Sequence, residues 1–201
     1  MQEDNRQALA EETILPFEGM PVSGLKEIGR GSNAVVYTGS YPDQTSSQRH
    51  MVVVKELFPV HSGIRRAGDG QIERCTSEAE EVFALHRQSF EMGNEAHLSL
   101  QQKQPALSGN LNINTFSYAS TLYSVLSFSG GRSLKEEYEN HPPDVRRLTR
   151  HMLALLHALE GFHDNGLLHL DIAPDNILIT GEEPHEQVIL IDFNSVMPIC
   201  P

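Results

Sequence analysis

The chain has 201 residues, 39% of them apolar, and a formal net charge of −12. That length and composition suit one good-sized core or two small lobes rather than a disordered chain, and no apolar run reaches the roughly eighteen residues of a membrane span. The acidic balance excludes a broad nucleic-acid surface, because the clustered Lys and Arg that neutralise phosphate backbones are missing, so any phosphate must be gripped locally.

The first two dozen residues read as a polar lead-in with room for a short helix, and the acidic start MQEDNRQALAEET is expected to carry no cleaved secretory signal. Order is expected from Leu25, where LKEIGR, AVVYTGSY and MVVVKELF form β-branched, apolar runs separated by turns, the pattern of an antiparallel meander. Residues 61–75 are polar, with Gly68, Asp69 and Gly70 supplying turn chemistry. A helical region then opens at Ser77, which forms a capping-box pattern with Glu80, and Gly93 marks a break or weak point inside it. INTFSYA and TLYSVLSF read as a strand hairpin, followed by the turn SGGRS and the short acidic helix LKEEYEN. Val145, Leu148, Met152, Leu155, Leu159 and Phe162 step by three or four residues and predict a helix over 144–163 that Asn165-Gly166 ends. Two short apolar strands, NILIT and QVILIDF, follow. Cys75 and Cys200 lie far apart without ligand-type spacing, which fits a reducing cytosol, and the ten histidines show no HExxH pattern.

Five segments carry chemistry. Between the first two strands lies GRGSNAVVY, where Gly29, Gly31 and Ser32 allow backbone N–H groups to approach a polyphosphate and Val36 can cover an adenine face. The next strand ends VVVK, and Lys55 can neutralise phosphate charge if a helix carboxylate holds it. Glu95 is the first candidate for that carboxylate and Glu91, one helical turn earlier, the second. In HLDIAPDN, Asp171 can orient a hydroxyl and accept its proton, while Asn176 can reach a cation. Asp192, in DFN at the end of a strand, adds a second hard oxygen donor of the kind magnesium takes. Any one of these can be a plain turn, a snorkelling lysine or a solvated carboxylate. All five in this order point to phosphoryl transfer.

With those residues, the chain resembles the protein kinases, specifically the bacterial eukaryotic-like Ser/Thr kinases, from about Leu25 to Val196. The resemblance implies an α+β fold: an antiparallel β N-lobe of about five strands with one helix against it, and a reduced, mainly helical C-lobe. It divides the chain into a lead-in over 1–24, an N-lobe over 25–128 and a C-lobe over 129–201, with the nucleotide expected where the lobes meet. It further implies ATP and Mg2+ as cofactors, Lys55 and Glu95 as an ion pair, Asp171 as catalytic base, and Asn176 and Asp192 as metal ligands. Leu126 becomes the gatekeeper, Ser127 and Phe128 the adenine hinge, and Val53 and Leu178 further nucleotide contacts.

Four positions depart from the family pattern. Ala34 stands where the loop has a third glycine, and Leu170 replaces the arginine after the catalytic-loop histidine, which implies no switching by a phosphate-to-arginine contact. Asn194 replaces the glycine after Asp192-Phe193, being one of the few other residues that tolerate a left-handed backbone. Only SVMPICP follows Asn194, so the expectation is either a fragment or a minimal kinase whose protein substrate docks outside the usual C-lobe platform. The resemblance to minimal bacterial effector kinases leaves both a cytoplasmic location and export into a host cell open. A small-molecule kinase and a pseudokinase or regulatory binding module stand as alternatives.

Overall fold

The computed structural model describes residues 4–17, 19–105, 109–140, 142 and 144–199. They divide into two compact units: residues 1–90 with 112–128, and residues 91–111 with 129–201.

The first unit is built on a five-stranded antiparallel sheet. Its strands are β1 (Ser23–Arg30), β2 (Ala34–Pro42), β3 (Arg49–Leu57), β6 (Asn112–Tyr118) and β7 (Thr121–Ser127), in the order β1-β2-β3-β7-β6. Alternation along these strands separates two faces. Tyr37, Val52, Val54, Tyr123 and Val125 are fully buried on the core face, where Phe58, Phe83 and Phe90 also pack. The core face also takes in Glu56, which is fully buried. Both its oxygens lie 2.7 Å from Arg66 Nη2, and the hydroxyls of Tyr37 and Tyr123 donate to it at 2.9 and 2.5 Å. A buried carboxylate is tolerable because each oxygen is matched in this way. Burial beside Glu56 pushes both phenols up, which keeps them protonated as donors.

Two parts of this unit differ from the sequence expectation. Residues 61–75 contain a small hairpin, β4 (Ile64–Arg66) paired with β5 (Ile72–Arg74), because Ile64 and Ile72 are buried under an otherwise polar surface. The segment before β1 has no helix among its described residues and is packed down: Leu15 bridges to Val22, Leu15 and Phe17 join the core, and Arg6 is buried.

Helix α1 (Ser77–Lys103) runs from the first unit into the second. Its cap is Thr76, whose Oγ1 accepts from Ala79 N at 3.1 Å, and Glu80 reaches Arg74 instead of closing a capping box with Ser77. The helix continues unbroken through Gly93.

The second unit packs helices α2 (Leu134–Asn140) and α3 (Val145–Asp164) with short strands β8 (Arg132–Ser133), β10 (Ile177–Thr180) and β11 (Gln187–Leu190), ordered β11-β10-β8. Strand β9 (Leu167–Leu168) pairs with β12 (Met197–Pro198). Asp144 caps α3 by accepting from Arg147 N, and Asn165 closes it before Gly166 at φ 70°. Leu155, Ala158 and Phe162 face the core with Leu100, Ile177, Ile179 and Leu190, whereas Val145 and Leu148 at the start of the predicted apolar stripe are exposed. Beside this core, Arg147 links Glu137 and Glu186, and His151 reaches Glu186 at 3.0 Å.

Candidate active site

In the first unit, strand register gathers the nucleotide candidates. Val36 is opposite Lys55, Thr38 opposite Val53, and Val53 opposite Leu126. Cross-strand partners in an antiparallel sheet share a face, so Val36, Val53, Lys55 and Leu126 all lie on the side away from Tyr37, Val54 and Glu56. Val36, Val53 and Lys55 are half-buried, Leu126 is nearly closed off, and the chain leaves the sheet through half-buried Ser127 and exposed Phe128. Gly29 and Gly31 flank the β1–β2 turn at one end of this face, and exposed Ser32 sits at its tip. The arrangement offers an apolar surface for a base, a cation beside it and a backbone loop for anions.

In the second unit, Asp171 and Asn176 come together because Pro174–Asn176 form a single 3-10 turn, closed by Asn176 N donating to Ala173 O at 2.9 Å. That turn brings the Asn176 amide back under Asp171. Its Nδ2 donates to Asp171 Oδ2 at 2.9 Å and to the Asp171 carbonyl at 3.1 Å. Asp171 is exposed, so its carboxylate is held in orientation while still open to an incoming group. Lys135 adds a cation 3.3 Å from Asp175 at the edge of the same turn. Leu178 follows in β10, half-buried.

Asp192 is half-buried and adopts a left-handed backbone, φ 67°, and its side chain accepts from Asn194 N at 3.2 Å. The left-handed residue is the aspartate, and Asn194 sits in the following 3-10 turn, Phe193–Ser195, outside the positive-φ residues. With its Nδ2 committed to Asp171, Asn176 has its carbonyl oxygen left for a cation, and Asp192 supplies a carboxylate. Two hard oxygens of this kind fit magnesium, which needs few protein ligands. Among the described residues no three His, Cys, Asp or Glu side chains converge to hold an ion unaided.

An aromatic stack supports both loops. His97 of α1 lies flat on Phe193, with centroids 4.1 Å apart and planes 4° apart, and Phe162 and His169 close around the same ring at 5.4 and 6.1 Å. His169 Nε2 also donates to Ile191 O at 3.2 Å. Gly93, one turn before His97, allows this approach: a Cβ there would meet Phe193 O at 2.4 Å. Sequence reasoning read Gly93 as a weak point and overlooked His97. The available signal was their i, i+4 spacing on one helix face. Of the two candidate carboxylates on α1, Glu95 is exposed and Glu91 half-buried.

The protein kinase domain family matches residues 22–199. A serine/threonine-protein kinase/endoribonuclease IRE1 from Oryza sativa subsp. japonica is 28% identical over 79% of this chain and 16% of its own length. Protein kinase C-like 1 of Saccharomyces cerevisiae is 35% identical over 42% of this chain and 7% of its own. The serine/threonine-protein kinase shk1/pak1 of Schizosaccharomyces pombe is 35% identical over 34% and 10%. The chain therefore spans a small part of these relatives. A solved structure, "PpkA-294 apo form", shares the fold at TM-score 0.74 and 24% identity, covering 94% of this chain and 62% of that one.

Proposed function

We propose that this chain, which belongs to the protein kinase family, transfers the γ-phosphate of Mg-ATP to a Ser or Thr hydroxyl of a protein substrate. The observation that carries the reading is the Asp171–Asn176 pairing, because it keeps an exposed carboxylate oriented where an acceptor hydroxyl can reach it. Asp171 accepts the hydroxyl proton as the acceptor oxygen attacks the γ-phosphorus, whose bond to the β,γ-bridging oxygen breaks so that ADP leaves. Asn176 and Asp192 would hold a magnesium ion, which would neutralise charge on the phosphate oxygens. Lys55 supplies a point charge to the same phosphates and the Gly29–Ser32 loop supplies backbone N–H groups. Val36, Val53 and Leu126 present an apolar face to the base, and Ser127 and Phe128 present backbone groups to its edge. The supporting carboxylate for Lys55 is Glu95, with Glu91 one helical turn earlier as the alternative. Exposed, unpaired Cys75 fits a reducing, cytoplasmic setting.

Calorimetric titration with ATP, with and without magnesium, tests the site. Wild-type protein should bind Mg-ATP, Lys55→Met should weaken it, and Asp192→Ala should abolish the dependence on magnesium. Phosphoamino-acid analysis of labelled lysate protein then distinguishes Ser/Thr transfer from labelling of small amines. Magnesium-independent binding in the wild type, or unchanged binding in Asp192→Ala, would contradict the assignment.

A further inference from the structure

We infer that Arg6, in the segment before the sheet, is a positioning residue for the phosphate-binding loop. It fixes the Gly31–Ser32 peptide so that the Ser32 amide is presented to the nucleotide phosphates. The inference rests on the nucleotide-binding reading above.

The Arg6 side chain is 3% exposed, and all five of its N–H donors are engaged. One edge is chelated by Asp4, Nε to Oδ1 at 2.9 Å and Nη2 to Oδ2 at 2.6 Å. The other edge reaches backbone carbonyls: Gly31 O at 2.8 Å from Nη2, Ala34 O at 3.4 Å from Nη1, and Phe58 O. Further bonds pin the segment itself. Arg30 Nη1 donates to Arg6 O at 2.7 Å, Arg66 Nε donates to Gln7 O at 2.9 Å, and Leu9 N donates to the Tyr37 hydroxyl at 3.1 Å.

The four carbonyls of the loop are all held on the protein side. Ser32 O accepts from Val60 N, Asn33 O from Phe58 N and Ala34 O from Gly31 N, each at 2.9 Å, while Gly31 O is held by Arg6. A trans peptide points its N–H opposite to its C=O, so holding the carbonyls inward directs the Ser32 and Asn33 amides outward. Among the described residues neither amide donates to a protein acceptor. Successive outward amides form the kind of concavity that binds phosphate.

The Ser32 and Asn33 carbonyls are held by backbone donors and survive any side-chain change. The Gly31 carbonyl depends on a side chain, and glycine offers little resistance to a flip of its peptide. Arginine suits this position because its rigid fork can serve several acceptors at once, whereas a lysine ammonium is a point charge on a flexible stem.

The test compares Kd for Mg-ATP and for adenosine, which lacks the phosphates, in wild type, Arg6→Lys and Leu15→Ala, with Tm recorded for each. Leu15 is fully buried in the same segment and is absent from the hydrogen bonds that hold the loop. Arg6→Lys should weaken Mg-ATP about tenfold, the worth of one hydrogen-bonded anchor, and change adenosine by less than about twofold. Leu15→Ala should lower Tm and leave the ATP-to-adenosine ratio intact. Should Arg6→Lys fail to fold, Asp4→Asn, which frees one edge of the guanidinium, should lower the same ratio by a smaller factor. Equal weakening of both ligands, an unchanged ratio, or the same selective loss in Leu15→Ala would overturn the inference. Wild-type protein that binds adenosine but gains nothing from the phosphates would overturn the nucleotide-binding reading along with it.

Discussion

Gly93→Ala separates a glycine that weakens a helix from one that lets a loop approach. In an exposed helix interior the change would stabilise by about 1 kcal/mol, since alanine forms helix better than glycine. Here the added Cβ would lie 2.4 Å from Phe193 O, 2.9 Å from Phe193 C and 3.1 Å from Asn194 Cα. Carbon reaches comfortable contact at about 3.5 Å, so the backbone after Asp192 must retreat by about 1 Å. Overpacking of this kind costs about 1–3 kcal/mol, which cancels the propensity gain and leaves a net loss of about 0–2 kcal/mol. For a chain of this size that lowers Tm by no more than about 8 °C. The effect on turnover should be larger, because a shift of about 1 Å in Asp192, the carboxylate proposed to hold the metal, can cost about 10²-fold. The assays are thermal unfolding and steady-state phosphate transfer. A variant that melts 2–4 °C higher, the return expected from about 1 kcal/mol, with unchanged turnover would refute the reasoning.

Acid stability should report on Glu186, whose pKa is lowered to about 2 by its bonds to Arg147 and His151. The folded pKa lies below the ordinary 4.5, so its contribution, about 3 kcal/mol, is complete above pH 4.5 and fades as pH falls toward 2. Urea midpoints measured from pH 7 down to 3 should fall more steeply in wild type than in Glu186→Gln, and parallel curves would exclude this role. Glu56→Ala should destabilise by about 3–5 kcal/mol, because it strands the buried Arg66 and leaves two phenols without their acceptor. Replacing both partners with leucine and methionine should recover most of that loss in a denaturant melt. A Glu56→Ala variant as stable as wild type would mean that the network is solvated in solution.

The strands around Lys55 were legible because Val52, Val53 and Val54 form an unbroken β-branched run between turns, and helix α3 because its apolar residues repeat with helical period. The candidate site segments stood out as local patterns, the glycine loop, Lys55, the Asp171 turn and Asp192 near the ends of strands and the candidate carboxylates Glu91 and Glu95 within α1. What failed depended on partners distant in sequence. Ile64 and Ile72 are single apolar residues among charges, so nothing local announces that hairpin. Gly93 looks like a helix breaker until Phe193 is seen against it. Arg6 reads as one more surface charge, since its acceptors at Gly31, Ala34 and Phe58 follow from the fold alone. The left-handed residue is Asp192, whose side chain accepts from Asn194 N, while Asn194 lies in the following 3-10 turn.

Transfer of labelled γ-phosphate from Mg-ATP, by the purified chain to itself and to lysate proteins, decides whether this is a working kinase. Wild type should label a protein band, and Asp171→Ala should lower the rate by about 10²–10⁴ while still binding nucleotide, the usual worth of a positioned base. Undiminished labelling in Asp171→Ala, or nucleotide binding by the wild type with no transfer to any acceptor, would contradict the catalytic role assigned to the Asp171–Asn176 pair.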